Sequence, residues 1–288
     1  MKKRFVAFLL VVSLVLSVFA VAPVSAASSF KNVKSFKSGA KIDLYKGGKK
    51  ETVKYGNYKN DSDTYGIKNS MVITVNSKRF KLTCPGLYEF GKVYYGDINK
   101  KDKYIELFVR MSDDFSGEYC MILRYKGGKL YKCSIQSYNY EEKKYEKNSQ
   151  RVYTNMGWGL PKVDGKGAVT LAQTDSALGG CFVYRSRYTL DKSSFKLKEK
   201  PVSYVVCGKS MTGPAERTFK AYSSKSFKAS KFTVKKGQTV RILRVYKNHW
   251  IYIKTQSGKT GWLFRPLDDA ATYPNDFDVI LKGLPVWS

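Results

Sequence analysis

The stretch from residue 96 to residue 107 contains four side chains that could offer oxygen ligands to a metal ion: Asp97, Asn99, Asp102 and Glu106. Hard cations such as calcium are held by several oxygen atoms that converge from alternate positions of a loop. Asp97 and Asn99 have this spacing, and the stretch therefore predicts a calcium site. The same stretch contains three cations: Lys100, Lys101 and Lys103. An alternative stays open, in which the carboxylates cap turn amides and pair with these lysines.

The stretch resembles the calcium-loop strand of FG-GAP and VCBS-type β-propeller repeats. Their pattern is an Asp-x-Asp-x-Asp-Gly loop, followed by an acidic residue that enters a strand. The four candidate ligands match the acidic positions if one residue is inserted, and the resemblance covers about residues 90–135. The loop glycine is missing here, and the chain has one clear copy. Similar single-copy loops occur in exported proteins of clostridial-type bacteria that also carry an SH3-like module. The resemblance thus implies an exported surface protein, with calcium as the one candidate cofactor.

Residue types that commonly perform catalysis are scarce. His249 is the single histidine, whereas a zinc-dependent amidase or endopeptidase needs several histidine and acidic ligands. The cysteines form no Cys-x-x-Cys pair, and a cysteine peptidase would have to recruit His249 from another domain. A glycosidase with two carboxylates stays open. We predict a protein that is not an enzyme, and the alternative is a secreted glycan-active enzyme or inhibitor that uses residues 41–214.

A segment near the C-terminus contains several aromatic residues, and all of its charged residues are basic. Nine basic residues and no acidic residue lie between Lys231 and Arg265, and such a surface favours an anionic partner. The candidate ligand-binding residues are Lys235, Lys236, Arg241, Arg244, Trp250, Tyr252 and Lys254. Two roles are open for the Trp250 side chain: it could pack at the rim of the domain, or it could line a binding groove. Trp262 is predicted to belong to the core, because Gly261 before it allows close packing.

The residues from 215 to 268 resemble bacterial SH3-like domains. The signature of these domains is a Gly-x-x-Val strand, a Trp-x-x-Val/Ile strand and a Gly-x-x-Gly-Trp hairpin, which correspond here to residues 237–240, 250–253 and 258–262. The family binds peptidoglycan stems or associated wall polymers. The resemblance therefore implies a small SH3-like barrel that attaches to the bacterial cell wall. The basic charge favours teichoic-type polymers or peptide carboxylates as its ligand.

The N-terminus has the layout of a secretory signal peptide. A basic start at residues 2–4 precedes an uncharged run to residue 21, and residues 24–26 offer a small-residue cleavage site. We expect cleavage after Ala26, which would leave no integral membrane anchor. The predicted organisation is a signal peptide over 1–26, a flexible lead-in over 27–40, a β-rich domain with its linker over 41–214, the SH3-like domain over 215–268 and a tail over 269–288.

The charge balance narrows the class of partner. The formal charge is +29, with 52 basic side chains against 23 acidic ones, so the protein should concentrate polyanions at its surface. For an exported protein, wall polymers are more accessible than nucleic acid. We therefore expect a secreted, wall-associated protein of a Gram-positive-type bacterium and no specific nucleic-acid partner. Adventitious nucleic-acid binding through charge alone is a further alternative.

Composition and patterning predict an all-β fold: a β-sandwich or partial propeller-like N-terminal domain and a small SH3-like barrel. Residues 104–109 are apolar at nearly every position, which favours a strand buried on both faces. The string Tyr-Lys-Gly-Gly-Lys occurs at 45–49 and again at 125–129. It predicts two hairpins that turn at Gly-Gly.

The chain contains five cysteines: Cys84, Cys120, Cys133, Cys181 and Cys207. An odd number leaves at least one thiol unpaired in a monomer. If Gly127-Gly128 is a two-residue turn, Cys133 lies opposite Ile122 and Cys120 opposite Ile135. The two cysteines are then diagonal neighbours, a geometry that fits a disulfide poorly. We predict that both are reduced in the folded protein.

Overall fold

The fold is that of a computed structural model, which describes residues 31–59, 69–83, 89–112, 118–139, 142–145, 153–155, 160–177, 180–191, 193–264 and 281–284. All regular elements in these ranges are β-strands, so the all-β prediction is confirmed. The described residues include no helix long and apolar enough to cross a membrane. The predicted signal peptide lies outside the described residues.

The region before residue 200 contains the following strands: β1 (Lys31–Asn32), β2 (Lys34–Ser35), β3 (Ala40–Ile42), β4 (Glu51–Lys59), β5 (Ser70–Val75), β6 (Lys78–Thr83), β7 (Glu89–Gly96), β8 (Glu106–Ser112), β9 (Glu118–Lys126), β10 (Lys129–Lys132), β11 (Ser134–Gln136), β12 (Tyr138–Asn139), β13 (Lys144–Tyr145), β14 (Tyr153–Asn155), β15 (Lys162–Val163), β16 (Ala168–Ala177), β17 (Gly180–Asp191) and β18 (Lys196–Glu199).

These strands build three larger sheets and one short pair, β12-β13. The central sheet has the order β10-β9-β8-β7-β2, and β14 also pairs with β9. The four-stranded sheet has the order β3-β4-β5-β6. The mixed sheet has the order β1-β15-β16-β17-β18-β11, in which β11 and β18 are parallel. One hydrophobic core lies on each side of the central sheet.

Strand β8 shows why both faces of the central sheet are covered by another sheet. Leu107 and Val109 pack into the core shared with the four-stranded sheet, whereas Phe108 packs into the core shared with the mixed sheet. Successive side chains of a strand point to opposite faces, so a continuous apolar run must be covered on both sides. The predicted strand buried on both faces is confirmed. The region is a stack of sheets, and a propeller-like array is not shown.

The lead-in belongs to the fold where the structure describes it. Strand β1 pairs with β15 and β2 pairs with β7, so residues 31–35 add to two different sheets. Val33 between them is buried in the core below the mixed sheet. The prediction of a flexible lead-in over 27–40 is therefore wrong for residues 31–35, because one buried valine and two edge pairings anchor the segment.

The two predicted hairpins form, with different turns. Strands β9 and β10 turn at Gly127-Gly128 with Lys126 opposite Lys129, which is the predicted register. Strands β3 and β4 close with Ile42 opposite Glu51, so the first Gly-Gly lies inside a longer loop. In that loop the Asp43 carboxylate accepts hydrogen bonds from the backbone N–H groups of Gly47 and Gly48, at 3.1 and 3.2 Å. The Asx side chain thus replaces a tight turn.

Of the two residue pairs predicted for the cysteines from the Gly127-Gly128 hairpin, the structure contains one. The backbone N–H of Cys133 donates to the carbonyl of Ile122 at 2.8 Å, as the predicted register requires. Strand β11 then leaves β9 and joins the mixed sheet, so Thr154 rather than Ile135 lies opposite Cys120. Both cysteines are free and buried in the core between these sheets. The side chains of Cys84 and Cys181 lie outside the described residues.

The C-terminal region contains the following strands: β19 (Tyr204–Val206), β20 (Thr212–Pro214), β21 (Phe219–Tyr222), β22 (Lys231–Val234), β23 (Thr239–Tyr246), β24 (Trp250–Thr255) and β25 (Thr260–Phe264). They form one antiparallel C-terminal sheet, β19-β23-β24-β25-β21-β22, with β20 also paired to β23. The predicted boundary at 215 therefore differs from the structure. Strands β19 and β20 were expected in the preceding domain and its linker, but both pair with β23.

Part of the predicted C-terminal tail also belongs to this unit. Leu281 and Leu284 are buried in the same core as Val240, Ile242 and Ile253. The backbone N–H of Lys282 donates to the carbonyl of Pro214 at 2.9 Å. A Cβ atom on Gly213 would overlap the carbonyl oxygen of Lys282, so the glycine is what permits this close approach. Residues 281–284 are thus a packed segment rather than a free tail.

Candidate functional site

The C-terminal sheet has one apolar face and one aromatic, basic face. Val240, Ile242, Val245, Ile251 and Ile253 point into the core, as the sequence predicts. The residues that alternate with them point outward, because side chains of a strand alternate between faces. We call this opposite side the outer face. It is the part of the molecule that gathers most of the predicted ligand residues.

Five directly opposed residues form a row across the outer face: Arg244, Tyr252, Trp262, Tyr222 and Lys231. They come from β23, β24, β25, β21 and β22, so the row crosses five strands. The three aromatic residues are half-buried, and a cation stands at each end. We call this set the aromatic row. Direct opposition places neighbouring side chains about 5 Å apart, within contact distance of each other.

Cations lie against the rings of the row and its neighbours. The Arg244 guanidinium lies 4.8 Å from the Tyr204 ring centre, and Lys231 Nζ lies 4.6 Å from that of Tyr222. Lys225 Nζ lies 4.5 Å from the ring centre of Tyr246. A hydrogen bond with Tyr246 raises the pKa of Arg244 above its ordinary value. Ring faces attract cations electrostatically, so these charges are held in place on the outer face.

The rings also pack on one another. Tyr252 and Trp262 have their ring centres 4.6 Å apart, and Tyr246 lies 5.1 Å from Trp262. Tyr204 in turn lies 5.0 Å from Tyr246. Four rings are thereby joined in one continuous surface. Each ring packs on its neighbours, which restricts its rotamers and lowers the entropy that a ligand would have to overcome.

A second row on the same face places like charges side by side. Arg241 lies directly opposite Lys254 between β23 and β24, and like charges in this position destabilise a sheet. The Nε atom of Arg241 is buried and has no hydrogen-bond partner among the described residues. An anion bound between the two side chains would offset the repulsion between their charges and could accept a hydrogen bond from Arg241 Nε.

Trp250 is buried rather than exposed at this face. Its side chain is 7% exposed and lies beneath Phe227, with ring centres 5.0 Å apart, and beside Phe264 at 5.3 Å. Phe227 comes from the loop between β21 and β22 and is 59% exposed. The open question about Trp250 is thus answered in favour of packing. Phe227 and Phe264 present the exposed rings in its place.

The remaining predicted ligand residues, Lys235 and Lys236, lie apart from the aromatic row. Both are exposed in the turn between β22 and β23. There the backbone N–H of Lys235 donates to the Gln238 side chain and that of Lys236 donates to Thr218 Oγ1. Arg241, Arg244, Tyr252 and Lys254 are therefore brought together, whereas Lys235 and Lys236 are not.

The prediction that Trp262 is a core residue is wrong. Gly261 faces the core instead, where an added Cβ would stand 2.5 Å from the Phe232 ring and 3.0 Å from Ala221 Cβ. The glycine therefore makes room for Phe232 and not for the indole. Since neighbouring residues alternate, Trp262 must face outward.

Several residues of the outer face were not among the predicted ligand residues: Tyr204, Tyr222, Lys225, Phe227, Lys231, Tyr246, Trp262 and Phe264. The alternation of Gly261, Trp262 and Leu263 was a usable signal for Trp262. The pairing of Tyr222 with Trp262 was not, since the two strands are joined only in the folded sheet.

His249 is a turn residue. Its backbone has a φ of 67°, and its N–H donates to the carbonyl of Tyr246 at 3.1 Å. Its ring lies 6.2 Å from that of Phe264. The preferred interpretation of His249 as a turn residue next to Trp250 is confirmed.

The predicted calcium ligands form a second polar cluster, at the loop between β7 and β8. Lys46 Nζ lies at its centre, 2.8 Å from Asp97 Oδ1, 3.0 Å from the Asn99 carbonyl and 3.1 Å from the Asp102 carbonyl. The Asn99 side chain accepts from the N–H of Lys101 at 3.2 Å. The ammonium group thus gathers oxygen atoms from both carboxyl and carbonyl groups of the loop.

Arg124 occupies the other side of this cluster. Its Nε donates to Glu106 Oε1 at 3.0 Å, and a terminal nitrogen donates to Asp102 Oδ2 at 3.1 Å. Glu106 is fully buried and also accepts from the N–H of Ile98 at 3.1 Å. Burial raises the pKa of Glu106 to about 7, against the opposing effect of Arg124. Charge pairing here involves Lys46 and Arg124 rather than the neighbouring lysines of the loop.

The described residues contain no group of three or more histidine, cysteine or acidic side chains placed to hold a metal ion. Calcium binding stays a prediction, for which Asp97, Asn99, Asp102 and Glu106 remain the candidate ligands. In comparisons with family models, curated proteins and solved structures, the chain matches none.

Proposed function

We propose that this is an exported, cell-wall-associated binding protein whose outer face engages peptidoglycan or an anionic wall polymer. The observation that carries the proposal is the aromatic row, in which Tyr252, Trp262 and Tyr222 lie between Arg244 and Lys231. Rings of this kind can pack on the apolar faces of sugars, and the cations can bind carboxylate or phosphate groups. Export is supported by the signal-peptide pattern of residues 1–26.

The charge around the row supports an anionic ligand. Between Tyr204 and Phe264 the sequence contains one acidic residue, Glu216. That carboxylate lies 4.0 Å from Lys282 Nζ, which is itself largely exposed. An anionic polymer would therefore meet an almost uniformly positive surface, so binding should be strongest at low salt.

Sedimentation with purified cell walls tests this proposal. We expect the protein to co-sediment with walls, and the double variant Arg244→Gln/Lys231→Gln to bind at least about fivefold more weakly, because each end of the row loses a charged contact. The control is Lys49→Gln/Lys50→Gln, which removes the same charge from exposed residues of the β3–β4 loop. Equal loss in both variants would mean that net charge alone binds the wall.

The choice of wall ligand and the enzymatic alternative can be tested on the same material. Walls stripped of teichoic-type polymers should retain less protein if phosphate groups are the ligand. Unchanged retention would assign the face to peptidoglycan. Zymography in a wall-containing gel should show no clearing. A cleared band would establish the secreted glycan-active enzyme in place of a binding protein.

A further inference from the structure

The four-stranded sheet has a groove of about 540 Å³ on the face that points away from the core. Its described lining consists of Tyr58, Lys59, Ser70, Val72, Arg79 and Lys81. Half of these residues are cations, although the groove lies far along the chain from the C-terminal sheet. We call this the basic groove. It is independent of the residues used for the proposed wall contact.

The register of the sheet places the cations along two opposite walls. Lys54 pairs with Thr74, which pairs with Arg79 on the next strand. One row further on, Val72 lies between Gly56 and Lys81, and in the next row Lys59 pairs with Ser70. Cations therefore stand on β4 and β6, whereas the middle strand β5 offers a neutral floor. Two strand spacings separate the walls by about 10 Å, the width of a single polymer chain.

The β4 strand contains a β-bulge next to the groove. Gly56 has a φ of 145° and lies opposite Val72, where the ladder between β4 and β5 shifts register. It carries no side chain, and an added Cβ would find no atom within 4 Å. Beside it, the Tyr58 ring is held by a hydrogen bond from its hydroxyl to the carbonyl of Gly91 at 3.1 Å. A backbone register shift and a hydrogen-bonded tyrosine thus lie at this end of the groove.

Three basic side chains at or beside the groove are exposed. Among the described residues, Lys54, Lys59 and Arg79 form no ion pair, and all three are exposed. Arg79 and Lys81 follow one another on the same face of β6, about 7 Å apart. A chain with regularly spaced anionic groups could contact them in turn, and the planar guanidinium can hold a phosphate with two hydrogen bonds.

We propose that the basic groove is a second binding site, which takes a single extended chain of a polyol- or sugar-phosphate polymer. The floor favours this ligand over single-stranded nucleic acid. Nucleic acid of no fixed sequence binds through rings on which successive bases stack. The described floor offers Val72 and Ser70, and the described lining contains a single ring, Tyr58, whose hydroxyl is bonded to the Gly91 carbonyl. A phosphate polymer without bases needs cations and hydroxyl contacts, which the groove supplies.

Two sites on one chain would raise the total affinity for a polymeric surface. Once the C-terminal outer face is bound, the basic groove is held near the same polymer, and the second contact becomes intramolecular. The N-terminal sheets would then be part of the attachment and not only its support. The groove can nevertheless be tested alone, because its variants change residues of the four-stranded sheet and leave the outer face intact.

The test uses the purified protein, linear inorganic polyphosphate as the probe, and the variant Lys59→Gln/Arg79→Gln. We expect affinity for polyphosphate to fall about tenfold at low salt, since two phosphate contacts are lost. Arg79→Lys should keep most of the affinity. The control Lys49→Gln/Lys50→Gln should bind like the wild type, and far-ultraviolet circular dichroism should show all variants folded.

Two further measurements distinguish the groove from the outer face and a phosphate polymer from nucleic acid. In the Arg244→Gln/Lys231→Gln background, the groove variant should still cause its own tenfold loss, which separates this site from the outer face. Oligothymidylate of matched charge should bind more weakly than polyphosphate. The proposal is overturned if the groove variant and the control lose affinity equally, if neither loses any, or if oligothymidylate binds the groove more tightly.

Discussion

The ammonium group of Lys46 lies 2.8 Å from Asp97 Oδ1, across 51 residues of sequence. The same nitrogen contacts the carbonyl oxygens of Asn99 and Asp102, so one side chain fills the centre of the predicted calcium loop. A cation that belongs to the protein already neutralises the loop. Metal binding would have to displace Lys46, with loss of its hydrogen bonds.

We expect Lys46→Met to lower the free energy of unfolding by about 2 kcal/mol, because charge-assisted hydrogen bonds to a part-buried ammonium are lost. In this variant calcium should restore stability, since the loop oxygens are then free for a hard cation. The measurement is the thermal midpoint with calcium and with a chelator. Lys49→Met, in the same loop, is the control. A wild-type midpoint that rises with calcium would favour the sequence-based calcium site over the internal cation.

The stability of the protein should fall between about pH 4.5 and pH 7 through Glu106. Burial raises the pKa of this carboxyl from 4.5 to about 7, so the folded state binds the proton more tightly than the unfolded state. Its contribution is full below the unfolded pKa and is lost as the pH rises through about 7. The total is roughly 3 kcal/mol.

The comparison of the wild type with Glu106→Gln isolates this effect. Glutamine keeps the shape but cannot ionise, so the difference in unfolding free energy between the two proteins should change with pH in that window and stay constant above it. Arg124 and Asp102 face the carboxyl in both proteins. Glu142→Gln, at an exposed ion pair, is the control. A difference that does not vary with pH would show that Glu106 is ionised throughout.

Local patterns were sufficient for part of the fold. The Gly127-Gly128 hairpin, the doubly buried β8 and the inward side chains of β23 and β24 all follow from alternation and turn chemistry within a few residues. The partner of Asp97 does not, because Lys46 arrives from a distant loop. Sequence reasoning considered only the lysines next to the carboxylates, since nothing in the sequence around Lys46 distinguishes it from the many exposed lysines of the chain.

The outer face was half predicted for the same reason. Tyr252 and Arg244 were predicted as ligand residues within the basic run that begins at Lys231. Tyr222 lies before this run, and Tyr222 and Lys231 join the row only through pairing with β25 and with β21. The orientation of Trp262 depends on which residue faces Phe232, and that contact crosses strands. Local alternation fixes two faces for a strand, but packing decides which of them is buried.

Cys120 and Cys133 should resist alkylation in the folded protein. Burial raises the pKa of Cys133 to about 12 and moves that of Cys120 further above its ordinary value, so little thiolate forms at pH 8. Iodoacetamide treatment followed by mass mapping should find both unmodified in native buffer, modified in denaturant, and not joined to each other. A Cys120–Cys133 bridge would overturn the register of β9 and β10.

Gly261→Ala should destabilise the C-terminal sheet by about 1–3 kcal/mol, because the new methyl group would press on the Phe232 ring. Phe232→Leu in the same chain should recover part of this loss. Gly208→Ala is the matched control, since its nearest neighbour is 3.6 Å from the added atom. The check is the urea midpoint of each variant. Equal effects at both glycines would mean that Phe232 does not lie over Gly261.

The two tryptophans should separate stability from binding. Trp250→Ala removes a side chain that is 7% exposed and should cost roughly 3–5 kcal/mol, which would unfold the C-terminal sheet. Trp262→Ala removes a half-buried ring of the outer face, so it should leave the fold intact and weaken wall binding that survives high salt. The fluorescence of the remaining tryptophans in urea measures the stability of each variant. Wall co-sedimentation at rising salt measures the binding. A Trp262→Ala protein that unfolds, beside a stable Trp250→Ala protein, would reverse the assignment of core and face.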